Sequence, residues 1–214
     1  MKWTGIHGII VPIYNNIWRW LKLNKLQERI LSNGVVVDND ILKVDTFINN
    51  QVDPELMTYI GNEFANHFKG KGITKVITIE SSGIAPALMT AIALNVPMVI
   101  LKKHQSKILN SNLYQTEVTS YTTGNAYELT LAADVISAVD HVLVIDDFLA
   151  DGEAATGAIR LLRMAHATVA GFGIIIEKSF QPGHKKLREQ GFDVYSLARI
   201  KSMSAVGIEF LEEA

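Results

Sequence analysis

Val142–Gly157 reads VLVIDDFLADGEAATG, and the order of residue types along it sets the fold. Four apolar residues, Val142–Ile145, make the short continuous run expected of a strand buried on both faces. Asp146 and Asp147 close the run and a short turn follows. Gly152 and the small residues Ala154, Ala155 and Gly157 then open a helix predicted from about Gly152 to Ala165. A buried strand passing straight into a helix is half of a βαβ unit. In an open parallel sheet, ligands sit beyond the carboxyl ends of the strands, where this turn falls. Free N–H groups at a helix N-terminus, approached closely past small side chains, make a phosphate cradle. Two carboxylates just ahead of it can bind vicinal hydroxyls or orient a hydrated magnesium ion. Phosphate, diol and metal together describe a ribose phosphate. The same residues also fit an ordinary strand–turn–helix in which Asp146 and Asp147 serve only as caps. Neither a Gly-x4-Gly-Lys loop nor a GxGxxG turn is present.

Outward from this stretch, apolar runs and helical patterns alternate. Strands are predicted at Lys75–Glu80, Pro97–Leu101, Val169–Glu177 and near Asp193–Leu197. Helices are predicted at Pro54–Phe68, with Pro54 near its start, at Pro86–Leu94, and after Pro182. The pattern implies an α/β domain with a mostly parallel, twisted sheet flanked by helices. Lys102–Ala126 is mostly polar without a clear period and reads as one long loop, the kind used as a lid or binding loop.

Composition narrows the classes. With 214 residues, 48% of them hydrophobic, the chain suits one compact domain with appendages. A net charge of −2 gives no global basic field for nucleic acid. The absence of cysteine excludes disulfides, thiol catalysis and cysteine-ligated zinc, and it fits a cytoplasmic location. No run approaches the roughly 18 apolar residues that span a bilayer. Residues 1–22 form an extension to a single domain at 23–214. Asn15, Asn16 and Arg19 break any signal-peptide core, and an amphipathic helix from about Pro12 would place Ile13, Ile17, Trp20 and Leu21 on one side.

The Val142–Gly157 stretch resembles the signature of the type I phosphoribosyltransferases, which bind 5-phospho-α-D-ribose 1-diphosphate (PRPP). The resemblance implies the type I fold with a small N-terminal hood and a flexible lid. It implies that Asp146 and Asp147 meet the ribose hydroxyls, that Ala150, Asp151, Gly152, Glu153 and Ala154 hold the 5′-phosphate, and that magnesium binds with PRPP. Asp151 and Glu153 depart from the family by adding negative charge beside a phosphate, so their side chains are expected to point away. Ile79–Pro86 stands in place of the pyrophosphate loop, where Ser81, Ser82 and Gly83 would serve the diphosphate and a non-proline cis peptide is common. Lys102–Ala126 stands in place of the lid, led by Lys102, Lys103, His104 and Lys107; Lys103 is the cation assigned to the leaving pyrophosphate. On residue type alone, these are also the charges of a solvated hairpin face.

Longer stretches, Leu42–Pro54, Ile77–Ala87, Val144–Gly152, Ile176–Gly183 and Ser196–Ile200, resemble the xanthine-using branch of the family. That resemblance implies transfer of 5-phosphoribosyl from PRPP to xanthine, homodimers, and a base pocket built from Leu42, Asn49, Lys178 and Phe180. It begins at about Leu23, which makes residues 1–22 candidates for an upstream translation artefact. Lys178 offers only donors, suited to a 6-oxo group rather than a 6-amino group; by residue type alone it is a surface lysine paired with Glu177. Ala150 stands where hypoxanthine–guanine relatives carry an aspartate that assists deprotonation of the base, so no single acid or base is assigned. An adenine or hypoxanthine–guanine transferase, a PRPP-sensing regulator on the same fold and a non-catalytic nucleotide binder remain the alternatives. A regulator would need a nucleic-acid-binding element that the N-terminal segment is too short and too weakly basic to supply.

Overall fold

The computed structural model describes residues 23–38, 40–103, 112–119 and 126–211. The helix expected from Pro12, the extension at residues 1–22, and His104 and Lys107 lie outside the described residues. Helix α1 (Lys25–Asn33) comes first, opened by an Asn24–Gln27 capping box. A small hairpin follows, β1 (Val35–Val37) against β2 (Ile41–Lys43), then a five-residue π-turn, Asp45–Asn49. Next come α2 (Pro54–Phe68), β3 (Lys75–Ile79), α3 (Ile84–Leu94) and β4 (Met98–Leu101). A second hairpin, β5 (Leu113–Thr119) with β6 (Ala126–Ala132), leads to β7 (His141–Leu149) and α4 (Glu153–Met164). The chain finishes with β8 (Thr168–Lys178), α5 (Gly183–Glu189), β9 (Val194–Ser204) and β10 (Gly207–Phe210).

Six strands form the central sheet in the order β10-β9-β8-β7-β3-β4, parallel throughout except for the antiparallel β9–β10 pair. This is the mostly parallel α/β architecture that the sequence implies. β7 sits inside it, and alternate residues face two separate cores. Leu143 and Ile145 join the core under α1, α2 and α3, while Val142 and Val144 join the core under α4 and the β5–β6 hairpin. The first core is tight because glycine lets helix meet sheet: a Cβ on Gly173 would stand 3.0 Å from the Phe64 ring.

Four expectations need correction. The strand ending in Asp146 and Asp147 runs on to Leu149, with Phe148 opposite Ile176 and Leu149 opposite Glu177 on β8. The presumed loop from Lys102 is in its second half a seven-residue antiparallel pairing, Leu113–Thr119 with Ala126–Ala132. It reads as loop because its outer face is polar, leaving few apolar positions to show a period. The strand near Asp193–Leu197 extends to Ser204, where it receives β10. The first turn of the helix expected from Pro86 begins two residues earlier, at Ile84.

At the far end of the sheet, Asp140 is buried and accepts from Lys75 Nζ (3.0 Å), Thr74 Oγ1 (2.9 Å) and the Ser137 amide (2.8 Å). Burial pushes its pKa up, but the hydrogen bonds from Lys75, Ser137 and Thr74 outweigh it and hold the carboxyl at about 2. A carboxyl whose folded pKa is depressed stabilises the fold above its unfolded value and loses that contribution as pH falls through the folded one. Asp140→Asn should therefore cost roughly 2 kcal/mol at neutral pH, the gap to wild type closing between the ordinary carboxylate value and about 2. Urea denaturation across acidic pH checks this.

Candidate active site

A cleft of about 330 Å³ opens at the carboxyl ends of β3, β7 and β8. Its lining includes Ser81, Ser82, Lys103, Asp146, Asp147, Ala150, Asp151, Gly152, Ala154, Leu42 and Lys178, so most of the residues expected from sequence are brought together. Gly83, Glu153, Asn49 and Phe180 do not line it.

The end of the cleft where the 5′-phosphate is expected is built from the β7–α4 junction. Gly152 caps α4 with φ 85°, a left-handed conformation that glycine adopts without strain. A Cβ there would stand 3.1 Å from Gly183 Cα, and Gly183 donates its amide to the Ala150 carbonyl at 3.0 Å. The cradle is thus backed by the start of α5. The two acidic departures behave differently. Glu153 turns outward to Lys186 Nζ at 3.2 Å, as expected. Asp151 does not turn away: it lines the cleft, and its Oδ1 accepts the Glu153 amide at 3.1 Å, using one of the α4 donors that an incoming anion would engage.

On the other wall, the turn after β3 carries a cis peptide between Glu80 and Ser81. Gly83 is buried beneath this turn, where a Cβ would stand 2.2 Å from Thr78 Oγ1. Its role is to let the turn pack on β3. Glu80 Oε1 accepts the Lys103 amide at 2.6 Å and Glu80 Oε2 pairs with Lys102 Nζ at 3.1 Å, which ties the first residues after β4 to the same turn.

Between these walls stand Asp146 and Asp147. Burial drives the Asp146 pKa well above the usual carboxylate range, and the neighbouring Asp147 charge adds to the rise; the Asp147 amide, donating to Asp146 Oδ1 at 3.1 Å, and Lys103 offset it only partly. Among the described residues, no group of three or more histidine, cysteine or carboxylate side chains could hold a metal ion. Asp146 and Asp147, adjacent and mutually repelling, are the carboxylates that would hold a magnesium ion, which would supply neutralising positive charge there.

The third wall carries Lys178 at the end of β8. It is buried and does not pair with Glu177. Its Nζ donates to the Asp40 carbonyl at 2.5 Å and lies 3.6 Å from the Asp40 carboxylate. Glu177, one residue earlier on the strand, faces the opposite way and accepts from Ser179 (2.5 Å), Ser196 (2.5 Å), His184 (2.8 Å) and Arg199 (3.2 Å). Burial raises its pKa, but those partners together leave it lowered. Leu42 lines the cleft from β2. Asn49 ends the π-turn, and its side-chain oxygen is buried with no hydrogen-bond partner among the described residues. Phe180 is exposed beyond the rim.

The Phosphoribosyl transferase domain model matches residues 49–203 of the chain. The chain belongs to the phosphoribosyltransferase family. This phosphoribosyltransferase is 68% identical over 191 residues to the xanthine phosphoribosyltransferase of Agathobacter rectalis, an alignment covering 89% of this chain and all of that one. It is 60% identical to xanthine phosphoribosyltransferase 1 of Clostridium botulinum strain Hall, again over 89% of this chain and all of the relative. Its fold is also that of the adenine phosphoribosyltransferase from Giardia lamblia solved with 9-deazaadenine (TM-score 0.67, 20% identity, 78% of this chain and 93% of that one). The adenine phosphoribosyltransferase of Saccharomyces cerevisiae is similar (TM-score 0.66, 24% identity, 80% and 97%).

The cleft of this phosphoribosyltransferase also contains residues that the sequence did not single out. Glu80 carries a legible signal, a carboxylate next to two serines. Tyr127 and Thr119 reach the cleft from the β5–β6 hairpin, and Ile41 reaches it from the first hairpin. Nothing in their local pattern marks them, because only the folding of both hairpins over the sheet edge brings them in.

The raised Asp146 pKa carries a stability cost. A carboxyl whose folded pKa lies above its unfolded value loses stability as pH rises above that unfolded value, here 3.8. In buffer free of magnesium and PRPP, Asp146→Asn should be more stable than wild type at neutral pH, the difference shrinking as pH falls toward 3.8. Thermal melts at a series of pH values test this; a variant less stable than wild type at neutral pH would contradict it.

Proposed function

We propose that this phosphoribosyltransferase transfers the 5-phosphoribosyl group of PRPP to xanthine, giving xanthosine 5′-monophosphate and pyrophosphate. The observation that carries this reading is the buried Lys178 at the cleft wall, a group with donors only, in a chain 68% and 60% identical to proteins named for xanthine. Lys178 would donate to the 6-oxo oxygen of the base. Adenine would set its 6-amino donor against the ammonium, leaving both unsatisfied, which is how a site rejects an analogue strongly. Leu42 would pack on the purine, and the buried Asn49 oxygen, which does not line the cleft, would accept from a ring N–H only after moving. Phe180 would reach the purine face only after moving from its exposed position.

The ribose would sit between Asp146 and Asp147 and the α4 cradle, its 5′-phosphate at Ala150–Ala154 and its diphosphate at Ser81, Ser82 and Lys103. Magnesium, bound with PRPP, would neutralise diphosphate charge and relieve the repulsion between Asp146 and Asp147. In the reaction, a purine ring nitrogen would attack C1 of the ribose while pyrophosphate leaves with the C1–O bond electrons, and the ring N–H proton would pass to water or to the departing pyrophosphate. The developing positive charge on the ribose ring would be stabilised by the Asp146 and Asp147 carboxylates. With alanine at position 150, the loop carries no aspartate to assist deprotonation of the base. Catalysis would rest on holding nitrogen and C1 in line.

Purified chain with magnesium and PRPP, offered xanthine, guanine, hypoxanthine, adenine and uracil in turn, should turn over xanthine fastest. Lys178→Ala should lower kcat/KM for xanthine by about 100-fold, the scale of one lost charged hydrogen bond in a desolvated site. Asp147→Asn should abolish measurable turnover. Faster turnover of adenine would overturn the base assignment and keep the PRPP site. Asp151→Asn keeps an oxygen for the Glu153 amide and removes a charge beside the phosphate. It should lower KM for PRPP several-fold with KM for xanthine unchanged.

A further inference from the structure

We propose that Tyr127 is a further substrate-binding residue of this site: its hydroxyl donates to the ribose 5-phosphate end of PRPP, and its ring seats Lys103 at the diphosphate end. The inference rests on the PRPP reading above and extends it to a residue on the β5–β6 hairpin.

The hairpin root is fixed to the helix that presents the phosphate cradle. Val118 and Tyr127 are register partners, so their side chains share one face of the hairpin, and Leu129, two residues on from Tyr127, points the same way. Val118 and Leu129 are fully buried on that face. They lie on α4 at Gly157, where a Cβ would stand 2.4 Å from Val118 Cγ2 and 3.3 Å from Leu129 Cδ2. Arg160 Nη2 adds a second tie, donating to the Glu117 carbonyl at 3.0 Å. Gly157 lies one helical turn from the start of α4 at Glu153. Tyr127 therefore occupies the inner face of an anchored hairpin beside the first turn of the helix. It lines the cleft with Asp151, Gly152 and Ala154.

The surroundings of the ring match the two ends of PRPP. Lys103 Nζ stands 5.6 Å from the ring centroid, within cation–π range, while the Lys103 amide is held by Glu80 on the diphosphate wall. The ring thus holds the ammonium at the cleft, close enough to Asp146 to act on its charge. Burial raises the phenol pKa, and the Asp146 and Asp151 carboxylates add to the rise, so the group stays a neutral donor at working pH. That property counts here. The cradle carries an acidic residue at position 151 that occupies one amide of α4, and a phenol supplies a donor to a phosphate oxygen without adding charge.

The test is calorimetric titration of wild type, Tyr127→Phe and Tyr127→Ala with PRPP and, separately, pyrophosphate, both with magnesium. Tyr127→Phe keeps the ring and should bind PRPP about tenfold more weakly, with pyrophosphate affinity unchanged within about twofold, as befits one lost hydrogen bond to a charged oxygen. Tyr127→Ala removes the seat for Lys103 as well and should also weaken pyrophosphate. Steady-state kinetics should follow, with KM for PRPP raised and KM for xanthine unmoved, and equal melting temperatures exclude a folding defect. PRPP affinity unchanged in Tyr127→Phe would overturn the role of Tyr127 while wild-type binding leaves the proposed function standing. Wild-type chain that binds no PRPP would overturn both.

Discussion

Two-sided burial of β7 is the constraint on which the rest of this molecule depends. Val142, Leu143, Val144 and Ile145 are all within 2% of full burial, and each contributes on the order of 1.5–3 kcal/mol by leaving water. That apolar anchoring holds the strand against helices on one face and a helix plus hairpin on the other. It also carries Asp146 and Asp147 to a place where two carboxylates would not stay of their own accord. The strand tolerates the cost because the residues before the pair are so firmly seated. The site therefore holds a demand for positive charge and hydrogen-bond donors, which the proposed diol and magnesium–diphosphate group would meet.

The two ends of the cleft are supported differently. The β7–α4 end is local: β7, the turn and α4 are contiguous, with Gly152 in the left-handed conformation between them. The opposite end draws on distant pieces, with Leu42 on β2 and Lys178 on β8 lining the cleft and Asn49 on the π-turn buried behind it. Lys178 is held by Asp40, 138 residues away in sequence, and the buried Glu177 locks the strand end beside it to β9 and α5. The amide of Gly183, reaching the Ala150 carbonyl, then joins the base-end segment to the phosphate cradle.

Much of this was legible in the chain. The β7–α4 stretch announces itself because its signals are local: an apolar run, two acids, a glycine and small residues in consecutive order. The same holds for the helix at Pro54–Phe68, whose start is marked by Pro54 in the first turn. Less legible were the long β5–β6 pairing, the extension of β9 and the strand β10. β5 and β6 lie off the main sheet, β10 is an edge strand, and β9 beyond Ile200 pairs only with β10; each has a polar face, so the pattern is diluted. Phe180 shows the limit on the other side: a motif places an aromatic near the base, yet its side chain stands in solvent.

By itself, then, the sequence determined the α/β class, the order of its central elements and the residue types that meet a ribose phosphate, because each depends on neighbours within about a dozen positions. Only the tertiary structure decided which way the side chains face. Lys178 turns into the cleft and Glu177 away from it, Asp151 stays beside the cradle while Glu153 leaves it, and Tyr127 enters from a hairpin that no local pattern connects to the site. The physical reason is that facing is settled by packing between elements far apart in the chain: strand alternation offers two sides, and burial against a distant partner chooses one.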